Sequence, residues 1–403
     1  MLNRKTLCIL LLLIVMVLPG CWSKKELNEL AVVMALGVDL HPEGFLVSAQ
    51  VMDSSQVGSK QKSPSGSLPI ITYQSAGKTI PDALQRMLSM APRMLYLSHL
   101  RVMVFGESLA RRGVSDALDY ISRDHELRND FFLLVAKGSD AADILQVVTP
   151  FENIPASSLF SSILISHKKW AATGKVTLQK FITELERSGS NPILSGVKRQ
   201  GALSEEAKSV KNVQTVAPNT MLEHAGIAVF KRDRLVGWLE EPSGKTVNYV
   251  LNDVASTIGN LSCSEGGTIG FTVYGVNSSI DVRLDADGKP EFKVNLALEA
   301  NLNAVQCTID LNQPSTIETI TTRLEDEYNR NLTRNIRDIQ HQYGSDIFGF
   351  GEALHRKYPS LWKEYRQHWE DSFKTVKIGV RSKVAIRRIG SVVQPVKRRM
   401  DTR

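Results

Sequence analysis

The stretch Pro314–Tyr343, PSTIETITTRLEDEYNRNLTRNIRDIQHQY, carries the strongest periodic signal of the 403-residue chain. Ile317, Ile320, Leu324, Tyr328, Leu332, Ile336, Ile339 and Tyr343 follow at spacings of 3, 4, 4, 4, 4, 3 and 4. Those steps keep a single apolar stripe on one side of a 3.6-residue helix. Glu325, Asp326, Glu327, Arg330, Arg334 and Arg337 fall elsewhere around the wheel. A helix apolar on one side needs a surface to cover, and the preceding segment offers one. Ile280, Val282 and Leu284 alternate, Asp285-Ala286-Asp287-Gly288-Lys289 makes a turn, and Phe292, Val294, Leu296 and Leu298 alternate back. That pattern predicts a β-hairpin. The turn lacks the later carboxylates of an EF-hand loop, so turn chemistry accounts for its aspartates. The second half is therefore expected to be an antiparallel sheet packed on a long amphipathic helix. The alternative use of the stripe is a partner-binding coiled coil.

Toward the C-terminus, Trp362, Tyr365 and Trp369 mark a short aromatic helix after Tyr358-Pro359. Val376, Ile378, Val380, Val384 and Ile386 then alternate with Lys377, Arg381, Lys383 and Arg387. This predicts a strand, apolar inside and basic outside. Two readings stand: an edge strand guarded by charge, or a basic stripe turned toward anionic headgroups or an acidic partner. The tail 396–403, with Lys397-Arg398-Arg399, is expected to be solvated. In the other direction, Ala225–Phe230 and Leu235–Leu239 form a second hairpin around a charged turn, followed by a helix near Gly244–Val254.

Residues 188–220 turn polar, with Gly189, Pro192, Gly196, Gly201 and Pro218. A linker is placed at 201–220, dividing an N-terminal domain, 21–200, from a C-terminal domain, 221–395. The first half mixes strands (Ala31–Val38, Phe45–Val51, Leu68–Ser75, Leu100–Gly106, Phe131–Ala136) with helical segments from Thr79, Glu107, Val114, Asp140, Ala156 and Leu178. Residues 53–67 read as a mobile loop. The fold class is α+β: a multi-domain chain of mixed sheets flanked by helices.

At the N-terminus Arg4 and Lys5 precede a twelve-residue apolar run, Leu7 to Leu18, then Pro19-Gly20-Cys21. Spanning a bilayer takes about 20 residues, so residues 1–20 read as a secretory signal that is removed. Leu18-Pro19-Gly20-Cys21 resembles a lipobox, which implies S-diacylglycerol, and in some cases N-acyl, attachment at Cys21 with palmitate-type chains. The competing reading is a plain signal or an uncleaved anchor. Two acyl chains hold a protein on a membrane where one does not. Trp22, Lys24 and Lys25 beside them suit the headgroup level. A formal net charge of +7, two of it from Arg4 and Lys5, is too low for a nucleic-acid binder. Of four cysteines, Cys8 leaves with the signal and Cys21 is modified. Cys263 and Cys307 remain, either as a disulfide or as two separately buried thiols.

No G-x-S-x-G, phosphate-binding loop, H-E-x-x-H or G-x-G-x-x-G occurs, and eight histidines are scattered. His99, His125-Glu126 and the dense Arg123–Asp130 stretch have no nucleophile beside them and read as surface or turn chemistry. No catalytic residue, metal site or cofactor is assigned.

The chain resembles the Ger(x)C lipoproteins, the C subunits of spore germinant receptors. The likeness rests on Cys21-Trp22, Glu26-Leu27-Asn28-Glu29-Leu30-Ala31-Val32-Val33, Ala35–Asp39, His99–Gly106 with Leu109–Gly113, Arg123-Asp124, Val135–Gly138, and Trp369 and Phe373 before Val376–Gly390. Ser23 stands where many members carry Asp. The resemblance implies a mixed α/β multi-domain fold and a non-enzymatic subunit on the inner spore membrane. It further implies A-type and B-type integral membrane partners in nutrient sensing. The competing function is a solute-binding lipoprotein of an importer, which would need a ligand cleft between two lobes.

Overall fold

The computed structural model describes residues 29–52, 68–152, 154–264 and 266–390. The expected mobile loop, 53–67, and the tail 396–403 lie outside them. Leu30–His41 forms strand β1, whose first ten residues are all buried, as a strand covered on both faces requires. Gly44–Met52 (β2) pairs antiparallel with it and Ile70–Gly77 (β3) lies outside β2. On the other side Met94–Tyr96 (β4) and Val102–Gly106 (β5) run parallel to β1, followed by Phe132–Ala136 (β6) and Ile193–Gln200 (β7). Met221–Lys231 (β8) and Arg234–Leu239 (β9) complete a nine-stranded mixed sheet, ordered β3-β2-β1-β5-β6-β7-β8-β9 with β4 on β1. Helices Ile80–Met87, Glu107–Arg112, Ser115–Arg123, Ala141–Leu145, Pro155–Lys169 and Leu178–Glu186 connect its strands. Thr79 caps the first of them, its Oγ1 accepting from the Asp82 amide at 3.3 Å.

Two features bear on the expected division of the chain. Strand β7 lies inside the polar stretch 188–220, where no strand was predicted, and Ile193–Val197 are buried. The hairpin β8–β9, expected to open the second half, pairs antiparallel with β7. Within segment 201–220 the buried Asn212 donates Nδ2 to the carbonyls of Val148 and Thr220, both at 2.8 Å. One core of buried side chains runs from Ala31 to Phe373.

The second sheet comprises Thr257–Ser262 (β10), Thr268–Leu284 (β11), Pro290–Val305 (β12) and Lys377–Arg388 (β13), in that order. The pairs β10–β11 and β11–β12 are antiparallel, as the hairpin pattern predicts. β13 departs from the expected all-antiparallel sheet and runs parallel to β12. The reason is the connection: helices Pro314–Tyr343, Phe350–Lys357, Pro359–Tyr365 and Trp369–Phe373 form a crossover that returns the chain to the end where β12 began. The apolar stripe of the long helix is spent on this sheet. Ile320, Leu324 and Leu332 join Phe271, Val273, Leu296, Leu298 and Val384 in one cluster.

β13 is an edge strand with Lys377, Arg381, Lys383 and Arg387 on its exposed face. Lys377 pairs with Glu291 at 2.9 Å and Arg387 with Glu299 at 2.6 Å. The edge itself is closed by the long helix. The Ser382 amide donates to Asn329 Oδ1 at 2.7 Å and the Val384 amide to Glu325 Oε1 at 2.9 Å.

Candidate functional site

A cavity of about 580 Å³ opens between the β10 end of the second sheet and the helices packed beside it. Its walls are helix Glu241–Val250, the long helix from Leu324 to Asn335, strand β10 and the end of helix Pro155–Lys169. The long helix presents Leu324, Tyr328 and Leu332 here because they follow one another at four-residue steps. On its floor the hydroxyls of Tyr249 and Tyr328 lie 3.0 Å apart, with their rings edge to face at 5.4 Å. Burial pushes Tyr249 up to about 12 and raises Tyr328 as well. Both are therefore neutral, so one hydroxyl donates and the other accepts. Phe271 stands beside Tyr328 and lies over Gly259, where no Cβ would fit. The rim is charged. Lys245 pairs with Glu241 at 2.7 Å and holds that carboxylate below its usual range. Lys169, Glu327 and Arg334 complete it. An apolar, neutral floor under a charged rim is the chemistry of a binding surface, and its lining places no nucleophile beside an oriented base.

Elsewhere the polar constellations are structural. Asp346 is fully enclosed and accepts from the amides of Phe348, Gly349, Phe350 and Gly351 and from the Trp369 indole at 2.8–3.2 Å. It thereby fixes the start of helix Phe350–Lys357. Burial pushes its carboxyl up to about 6 against the pull of those donors. Asp39 does the same for helix Ala141–Leu145, accepting from the Ala141 and Ala142 amides at 2.7 and 2.9 Å. Burial outweighs the two bonds and raises it to about 6. Sequence reasoning missed both roles: the amides that Asp39 accepts from are 102 and 103 residues away, and the Trp369 indole on Asp346 is 23 residues away. Ser162 Oγ is 3.0 Å from His224 Nε2 and donates to the Leu159 carbonyl at 3.0 Å, while the other ring nitrogen of His224 makes no hydrogen bond, so no third group orients the imidazole as a base. The Arg123–Asp130 stretch is tied by its own contacts, Arg123 to Asp119 at 2.9 Å and Arg128 to Asp130 at 2.8 Å.

Of the residues singled out from the sequence, Cys21 lies outside the described residues. Cys263, just after β10, and Cys307, just after β12, face each other with Cα atoms 6.3 Å apart, a span that a disulfide bridges. Arg381 and Lys383 sit on the open face of the second sheet beside Asn277, Ser279 and Asn295, away from the cavity. Among the described residues no three His, Cys, Asp or Glu side chains converge as metal ligands. No helix among them is long and apolar enough to cross a membrane.

Residues 23–199 match the spore germination protein N-terminal domain, and residues 225–390 match the spore germination B3/GerAC-like C-terminal domain. Spore germination protein KC of Bacillus subtilis (strain 168) is 27% identical over 404 residues, covering 98% of each chain. Spore germination protein B3 of the same strain is 25% identical over 364 residues, covering 88% of this chain and 90% of that one. The crystal structure of the GerBC protein superposes with a TM-score of 0.56 at 18% identity, over 87% of this chain and 96% of that one, and so shares the fold.

Proposed function

Because the chain belongs to the Ger(x)C family, we propose that it is the C-type subunit of a nutrient germinant receptor in a spore-forming bacterium. In this reading Cys21 carries the lipid and holds the body on the outer face of the cell membrane, which becomes the inner spore membrane. There it works with A-type and B-type integral membrane subunits and performs no catalysis. The carrying observation is that both family domains match, in order, across residues 23–390. The relatives' names, which include spore germination proteins A3, B3 and KC, support the receptor role. The lipobox supports the anchor, since confinement to a surface raises local concentration near partners there.

The importer reading is not favoured. A solute clamp needs two lobes that hinge, whereas here β7 and β8 pair across the expected boundary and one core spans both halves. The test is Cys21→Ala in spores. We expect loss of the protein from the membrane fraction and a slowed nutrient response; unchanged retention together with an unchanged response would sink the anchored-subunit reading.

A further inference from the structure

The two edges of the second sheet are treated differently. The β13 edge is occupied by Asn329 and Glu325 of the long helix, which accept from its outward amides. The β10 edge faces the cavity. Gln306 donates to the Thr268 carbonyl, so the backbone of Thr268 points toward β12. Thr268 is the cross-strand partner of Ser262, and no bulge interrupts β10–β11. The backbones of Ser262, Asn260 and Ile258 must therefore point away from β11, into the open. Two contacts agree: Arg323 Nη2 donates to the Ser262 carbonyl at 2.6 Å and Lys245 Nζ to the Ile258 carbonyl at 3.3 Å. Both donors are long side chains that can swing aside, and Asn260 between them carries an outward amide and carbonyl. Ile258, 61% exposed, adds an apolar side chain at the same edge.

An unpaired edge is a template for another strand, and proteins usually cover it. Among the described residues it is left open along a cavity floored by Phe271, Tyr249 and Tyr328. An edge of this kind is matched by the backbone of an extended polypeptide, whose alternate side chains would enter the cavity. The rim sets the charge. Lys245 and Glu241 neutralise each other, leaving Lys169 and Arg334 against Glu327. Arg323 at the end of β10 adds another cation.

We propose that this groove docks an extended, acidic segment of another polypeptide, which adds to β10 as a further strand and lays apolar side chains over the aromatic floor. The inference goes beyond the receptor assignment and stands on the groove alone, so purified acyl-free chain from residue 22 onward tests it whatever the fate of Cys21.

The probes are two ten-residue peptides, one alternating aspartate with valine and one alternating lysine with valine. With the acidic peptide, hydrogen exchange at the Ile258 and Asn260 amides should slow at least tenfold, and the lysine peptide should bind at least tenfold more weakly. Asn260→Pro removes the central donor at an edge position where proline is tolerated; it should abolish binding with an unchanged Tm. The double variant Lys169→Glu, Arg334→Glu should invert the preference between the peptides and serves if the proline variant fails to fold. Absence of protection at millimolar acidic peptide, or unchanged charge preference in the double variant, would overturn the proposal. So would protection of the same amides that appears with protein concentration alone, which would mean a second copy occupies the edge.

Discussion

Asp39 ends an apolar run, and its carboxyl is almost completely buried among backbone amides. Burial raises it from 3.8 to about 6. Between those values the folded chain retains a proton that the unfolded chain has released. The carboxyl therefore contributes stability that is fully present below pH 3.8 and lost as the pH rises through about 6. At 1.36 kcal/mol per pKa unit, the change is about 3 kcal/mol at most. Urea unfolding at pH 4 and pH 7 should show it, and Asp39→Asn should flatten the difference. Equal pH dependence in both proteins would exclude Asp39 as its source. No local pattern announces such a residue. A buried carboxylate is recognised by what it caps, and the Ala141 and Ala142 amides reach Asp39 only through the tertiary fold. Asp346, with amide partners two to five residues ahead, sits in a Gly-rich stretch that does resemble a cap. Its fifth partner, Trp369, was equally out of reach of sequence reasoning.

At the scale of elements, the long helix both covers a sheet and seals its edge. Asn329 Oδ1 also accepts from the Ser382 hydroxyl at 2.9 Å, so one amide oxygen serves two donors. Replacing Asn329 and Glu325 together with Ala should leave the Ser382 and Val384 amides without their acceptors. We expect a loss of about 1–3 kcal/mol, faster amide exchange at those two positions, and greater self-association through β13. Unchanged exchange would mean that the helix does not guard the edge. The helix and the β11–β12 hairpin were legible because periods of 3.6 and 2 are written locally, residue by residue. Strand β7 was not legible, since only Ile193–Val197 is buried and glycines and prolines surround it. The parallel sense of β13 was equally hidden, because direction depends on where a crossover delivers the chain. The cavity draws its lining from five separate segments, none of which is unusual alone.

At the scale of the molecule, the pairing of β7 with β8 joins strands from either side of segment 201–220 in one sheet. Thermal unfolding should be a single transition by both calorimetry and near-UV circular dichroism, and residues 21–200 alone should not fold. Two resolved transitions would contradict this. Cys263 and Cys307 are placed so that a disulfide would join the end of β10 to the segment after β12 across 44 residues. Peptide mapping without reductant should recover a cross-linked pair, and Cys263→Ala with Cys307→Ala should cost about 2–4 kcal/mol. Two alkylated thiols in the native protein would refute the bond. The order of β13 in the chain also has a temporal meaning. A polypeptide is made from its N-terminus, and β12 is complete long before its neighbour on that side exists. Until the whole helical excursion has cleared the exit, β12 keeps a bare flank, and parallel pairing at such separation is slow. The newborn chain is therefore most vulnerable to clumping late in its synthesis, and a stop codon just before Lys377 would make that brief hazard permanent.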